Sequence, residues 1–181
     1  MDIGIISARY AKALLRFAEE NGEAETVYGE ANALAAAFLS VPRLQTTMQN
    51  PVLLPEDKVK LLLVGASGGK GEVSESLRKF AALAVRKRRA DIMRSVAFSY
   101  GTLYRRSRNI VEGTLVIPAP LDDATVARLK GLVESRTGSD VRFKVREDPA
   151  IMGGFVLEYD TYRMDASVRT QLTRMRRELS K

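Results

Sequence analysis

Glu158, Asp165 and Ser167, a glycine-rich stretch over residues 65–71, and the basic runs Arg86-Lys87-Arg88-Arg89 and Arg105-Arg106-Ser107-Arg108 are the groups whose type and spacing could do chemistry. The carboxylates would serve as general acids or bases if a pocket shifted their pKa values. Asp165 and Ser167, just ahead of an amphipathic segment, instead have the placement of helix caps. Arg169 beside them is set for an exposed ion pair contributing about 0–1 kcal/mol. The glycine-rich stretch does not make a phosphate loop. That motif needs four residues between its first two glycines and then Lys-Ser/Thr, so that amides wrap phosphate and a hydroxyl reaches magnesium. Here three residues separate Gly65 from Gly69, Gly71 stands in the hydroxyl's position, and no strand clearly precedes. The stretch reads as a linker between helices. The basic runs could meet nucleic-acid phosphates, with Phe98, Tyr100 and Tyr104 as interleaved aromatics. No stacking motif or reading helix accompanies them, and cations near helix C-termini complement the helix dipole. Nucleic acid is therefore not expected as a partner.

Composition narrows the chemistry further. With no Cys and no His in 181 residues, thiolate zinc sites, disulfides, cysteine nucleophiles and histidine bases are excluded. No metal site, cofactor or catalytic residue is expected. The missing Cys fits a reducing compartment. The N-terminal residues lack a basic segment followed by a long apolar run, so no signal peptide is expected. No stretch approaches the roughly 18 apolar residues of a membrane span. The net charge of +7 is uneven: residues 78–108 carry ten Lys/Arg against Asp91 alone, whereas residues 1–57 carry eight Asp/Glu against four Lys/Arg. Such asymmetry suits an acidic surface as partner.

The elements that must position these groups change period once. Up to about Ser107 the pattern is helical. Ile6, Tyr10, Ala13, Leu14 and Phe17 form one face of a first helix, with Ser7 as a possible cap and Asn21-Gly22 as its end. An alanine-rich helix over residues 23–40 stops at Pro42, which admits a short third helix. Asn50-Pro51 makes a turn, and Pro55-Glu56-Asp57 opens a fourth helix. Fifth and sixth helices are expected over residues 74–87 and 90–104. Beyond a polar joint at residues 105–109, residues 110–117 read as a strand ended by Pro118 and Pro120. A helix started by Asp122 and Asp123 presents Val126, Leu129, Leu132 and Val133. Val141, Phe143 and Val145 alternate with Arg142, Lys144 and Arg146 in a half-buried strand. Gly153-Gly154, structural glycines that allow a close approach or a bulge, lead into a strand in which Phe155, Leu157 and Tyr159 alternate with Val156 and Glu158. A turn at Asp160-Thr161, a further strand, and a helix with Val168, Leu172, Met175 and Leu179 on one face complete the chain. The expected fold class is α+β: an N-terminal six-helix bundle over residues 1–107, then a small β-α-β-β-β-α module over residues 108–181.

The first helix carries a second stripe, Ala8, Ala11, Leu15 and Ala18, beside the Ile6/Tyr10/Leu14/Phe17 face. One amphipathic helix needs one buried face. Two faces imply either an interior helix or a groove awaiting another helix. Phe80, Leu83 and Ala84 on the fifth helix offer a comparable surface. The residues alone favour interior packing.

Ala8-Arg9-Tyr10-Ala11-Lys12-Ala13-Leu14 with Phe17-Ala18, Asn50-Pro51 followed by Glu56-Asp57-Lys58, Ala119-Pro120-Leu121, Asp148-Pro149 with Gly153-Gly154-Phe155, and the segment from Asp165 to Leu172 together resemble the delta subunit of F-type ATP synthases. The mitochondrial counterpart in that family is the oligomycin-sensitivity-conferring protein. The resemblance spans nearly the whole chain. Ala166, where a Gly is common, and the extra basic run at residues 86–89 depart from it. It implies a non-catalytic stator subunit that links the alpha/beta headpiece to the b-subunit peripheral stalk and resists rotor torque during proton-driven ATP synthesis. It reverses the order above for the first helix. Ala8, Ala11, Leu15, Ala18, Phe80, Leu83 and Ala84 become the expected groove for the N-terminal helix of an alpha subunit, and the C-terminal module the expected seat of the b subunits. The implied location is peripheral, at the cytoplasmic face of a bacterial inner membrane, reached only through the complex. One copy per complex, monomeric in isolation, is implied.

Overall fold

A computed structural model describes residues 3–69, 72–119, 123–159 and 162–179. The expected turn at Asp160-Thr161, the Pro120 to Asp122 segment, Lys70-Gly71 and the side chains of Leu132, Tyr159 and Leu179 lie outside the described residues. Among the described residues the chain is mostly helical, with eight α-helices in all and one four-stranded mixed sheet in its C-terminal part. It divides into two compact units, Met1–Arg106 and Ser107–Lys181.

Six helices build the first unit: α1 (Ile3–Glu20), α2 (Ala24–Ser40), α3 (Pro42–Gln49), α4 (Pro55–Ala66), α5 (Glu75–Arg86) and α6 (Met93–Ser107), the last preceded by a 3-10 turn at Ala90–Ile92. Gly22 ends α1 at a φ of 71°, and the Glu23 amide donates to the Ala18 carbonyl at 2.8 Å, as a left-handed cap requires. Pro42 and Pro55 stand at the first turns of α3 and α4, where a missing N–H costs nothing. Two expectations fail locally. Ser7 does not cap α1: it is buried inside the helix and donates to the Ile3 carbonyl at 2.7 Å. Gly65 and Ala66 belong to α4, not to a linker; a Cβ on Gly65 would come within 3.1 Å of Leu34 Cδ1, so the glycine lets α4 approach α2.

The core of this unit includes Leu14, Val27, Leu34, Met48, Leu62, Leu77, Met93 and Val96. Tyr100 is fully buried and donates from its hydroxyl to the Ala24 carbonyl at 3.0 Å. That bond satisfies a polar group which would otherwise be costly inside. Tyr104 stacks on Tyr28 with ring centroids 4.6 Å apart.

The second unit contains β1 (Ile110–Ile117), α7 (Asp123–Thr137), β2 (Asp140–Glu147), a 3-10 turn (Pro149–Ile151), β3 (Val156–Tyr159), β4 (Tyr162–Asp165) and α8 (Val168–Leu179). Its sheet order is β2-β1-β3-β4, parallel between β1 and β2 and antiparallel elsewhere. The parallel pair is possible because α7 supplies the crossover. Leu115, Ile117, Val133, Val141 and Leu157 pack on one face. Val116, Ile151 and Val156 pack on the other. This corrects the simple alternation expected around Phe155: β3 begins at Val156, and both Val156 and its neighbour Leu157 are buried, because both sheet faces are covered there. Along β2 burial fades from Val141 to the exposed Val145. The basic residues of this edge strand guard it against pairing with other chains.

Candidate interaction surfaces

The carboxylates do not assemble a reactive site. Asp165 Oδ1 accepts from the Ser167 amide at 3.0 Å and from the Ser167 hydroxyl at 2.6 Å, and Ser167 Oγ accepts from the Thr170 amide at 3.2 Å. Ser167 is thus the N-cap of α8 and Asp165 its brace. The Ser167 hydroxyl, then its amide, hold the Asp165 carboxyl below the usual carboxylate range. Arg163 pairs with Glu158 at 3.0 Å and lies 3.7 Å from Asp165. These are structural contacts on an exposed surface. Among the described residues no cluster of acidic groups could hold a metal ion, and no helix is long and apolar enough to cross a membrane.

Gly153 and Gly154 serve the same corner. Gly154 has a φ of 73°, and a Cβ there would fall 2.2 Å from the Ala166 carbonyl oxygen. A Cβ on Gly153 would meet Val168 Cγ2 at 2.9 Å. The Val168 amide donates to the Gly153 carbonyl and the Ala166 amide to the Phe155 carbonyl, both at 3.0 Å. The two glycines therefore let the start of α8 lie directly on the loop before β3.

The basic runs stand at helix ends and turns. Arg86 closes α5, Arg88 sits in a turn at a φ of 57°, and Arg105 donates to the Tyr28 hydroxyl at 3.4 Å. Of the interleaved aromatics, Tyr100 and Tyr104 are core residues and only Phe98 is exposed.

A groove does open between α1 and α5. Its walls are Tyr10, Ala13 and Phe17 from α1 and Phe80 and Leu83 from α5, and its volume is about 490 Å³. Tyr10 meets Phe80 edge to face, with centroids 6.1 Å apart. Arg9, Lys79 and Lys87 stand on its rim. Of the residues expected here, Phe80 and Leu83 line the groove. Ala11 and Ala18 are 0 % exposed, and Leu15 and Ala84 are buried with them inside the helical unit. Ala8 is exposed but does not line the opening. The alanine stripe is where α1 packs inward, because small side chains allow close helix approach. The aromatic stripe beside it is left to face the groove.

Sequence reasoning missed the groups that fix the wall. Glu30 of α2 is 9 % exposed, and its two oxygens accept from the Ser74 amide and hydroxyl, each at 2.5 Å. Glu23 accepts from the Ser76 amide at 2.9 Å and the Glu75 amide at 3.3 Å. Two carboxylates from the α2 region thus cap the first turn of α5, where free amides and the helix dipole favour negative charge. The bonds from the Ser76 side chain and amide lower the Glu23 pKa. The available signal was Glu30 itself, a lone carboxylate among Val27, Ala31 and Leu34 on the buried side of α2.

A second apolar surface lies on α8, where Val168, Leu172 and Met175 are 39 %, 53 % and 57 % exposed. The sequence places these residues on one face; Val168 rests against Gly153 at its start, and Leu172 and Met175 beyond it are more than half exposed.

The family model described as "ATP synthase delta (OSCP) subunit" matches residues 6–179. The chain is 43 % identical to a protein named ATP synthase subunit delta from Phocaeicola vulgatus, over 98 % of this chain and 95 % of that one. It is 33 % identical to the protein of the same name from Bacteroides thetaiotaomicron, with the same coverage. Its fold is similar to a chain in a cryo-EM structure of the Toxoplasma gondii mitochondrial ATP synthase hexamer, with a TM-score of 0.60, 19 % identity and 97 % of each chain covered. The chain belongs to the ATP synthase delta (OSCP) subunit family, whose members are structural and not catalytic subunits of the F-type ATP synthase.

Proposed function

We propose that this chain is the stator link of a proton-translocating F-type ATP synthase, joining the alpha/beta headpiece to the b-subunit stalk and resisting rotor torque. The observation that carries this reading is the open apolar groove between α1 and α5, walled by Tyr10, Ala13, Phe17, Phe80 and Leu83. A surface of this shape suits the apolar face of one amphipathic helix. The occupant is the N-terminal helix of an alpha subunit. The b subunits engage the second unit, and the exposed Leu172/Met175 face of α8 is their seat. Ala11, Leu15, Ala18 and Ala84 support the groove from behind, and the six N-terminal helices act as one bundle on the headpiece. Attachment to the cytoplasmic face of the bacterial membrane is through the complex alone, with one copy per complex. Two surfaces with separate partners add avidity through effective concentration, and buried helix-in-groove contacts chiefly slow dissociation.

Calorimetric titration of the full chain with a peptide of the cognate alpha N-terminal helix tests the groove. Tight one-to-one binding, abolished by Ala13→Glu or Leu83→Glu in a folded protein, is the expected result. A folded chain that does not bind the peptide would remove this function from the groove.

A further inference from the structure

The groove is apolar along its floor, but among the described residues its charged lining is all of one sign: Arg9, Lys79 and Lys87. These cations are not equivalent. Lys79 is neutralised within its own helix by Glu75, at 2.6 Å. Arg9 and Lys87 have no carboxylate partner among the described residues. Both stand on the rim of the groove, Arg9 on α1 and Lys87 just past the end of α5.

We infer that the groove selects a partner helix that carries carboxylate side chains beside its apolar face, where they meet Arg9 and Lys87. This rests on the groove being a helix-binding site and adds what that helix must carry. Carboxylates on the docked helix would match these two cations, and a helix with an uncharged or basic flank would leave them unmatched. Because both cations stand on an exposed rim, they act on encounter more than on residence: rim charges govern association rate and salt dependence, whereas buried contacts govern dissociation.

The test is stopped-flow association of the full chain with the cognate alpha N-terminal peptide, across a salt series. Partners are wild type, Arg9→Gln/Lys87→Gln and Leu83→Glu, and a second peptide has Gln and Asn in place of Glu and Asp. The double variant should associate about tenfold more slowly at low ionic strength, with its dissociation rate nearly unchanged. The difference should vanish near 1 M salt, where the screening length is about 3 Å. The amide peptide should show the same loss with wild type. Equal association rates and equal salt slopes for wild type and the double variant would overturn the charge selection. If Leu83→Glu still abolished binding in that case, the groove reading would stand. A folded wild type that binds neither peptide would overturn both.

Discussion

A methyl group at position 154 would collide with the Ala166 carbonyl, and the backbone there is left-handed. Gly154→Ala should therefore destabilise the second unit by more than the roughly 1–3 kcal/mol of a strained backbone alone, read as a fall in its denaturation midpoint. Gly131→Ala is the contrast: nothing lies within 4 Å of its Cβ and it sits in α7, so it should be neutral or stabilising by up to about 1 kcal/mol. The glycine pair, and the capping roles of Asp165 and Ser167, were legible from sequence because backbone demands of this kind are local. The identity of the obstructing atom was not, since Ala166 arrives through the tertiary fold. The acids carry a pH dependence with a defined sign. Glu23 and Asp165 both have folded pKa values below their ordinary 4.5 and 3.8. Their contribution is complete above those values and is lost as pH falls through the lowered folded ones. Acid unfolding of Glu23→Gln should show a shallower fall in stability below about pH 4.5 than wild type. An identical profile would mean that the Ser76 contacts do not persist in solution.

At the scale of elements, α1 shows what periodicity leaves undecided. Two apolar stripes lie side by side, and either could face inward. The structure buries Ala11, Leu15 and Ala18 of the small stripe together with Leu14 of the other, and leaves Tyr10, Ala13 and Phe17 at the groove. Nothing in the helix alone makes that choice; it is set by how closely the neighbouring helices approach. Ala11→Glu should therefore unfold the first unit, costing about 3 kcal/mol or more for a buried unpaired charge. Ala13→Glu should leave stability within about 0.5 kcal/mol and block the groove. Circular dichroism melts of the two variants separate these outcomes. The wall helix α5 depends in turn on α2. Glu30→Ala removes two charge-assisted bonds to Ser74 and should cost about 1.5–3 kcal/mol, with faster amide exchange at the start of α5. Helix and strand positions were largely readable because Pro42, Pro55, Gly22 and Gly138 punctuate the pattern at element ends. Gly65 misled because it serves helix packing and not a turn.

For the molecule as a whole, the two units present different kinds of surface. The first offers a groove with a basic rim, the second an exposed helix face. The chain divides into these units after Arg106. The exposed face of α8 could not be foretold, because an amphipathic stripe looks the same whether its cover is internal or a partner. A double substitution there, Leu172→Glu/Met175→Glu, should change stability by less than about 0.5 kcal/mol while abolishing capture of the soluble b-subunit segment. The most direct test of a two-ended clamp is amide hydrogen exchange on the full chain, alone, with the alpha N-terminal peptide, and with the soluble b segment. Two separate footprints are predicted: α1 and α5 protected by the peptide, α8 and its neighbouring loop protected by the b segment. Protection of the same elements by both partners, or a b-segment footprint confined to the first unit, would contradict the assignment of one partner to each end.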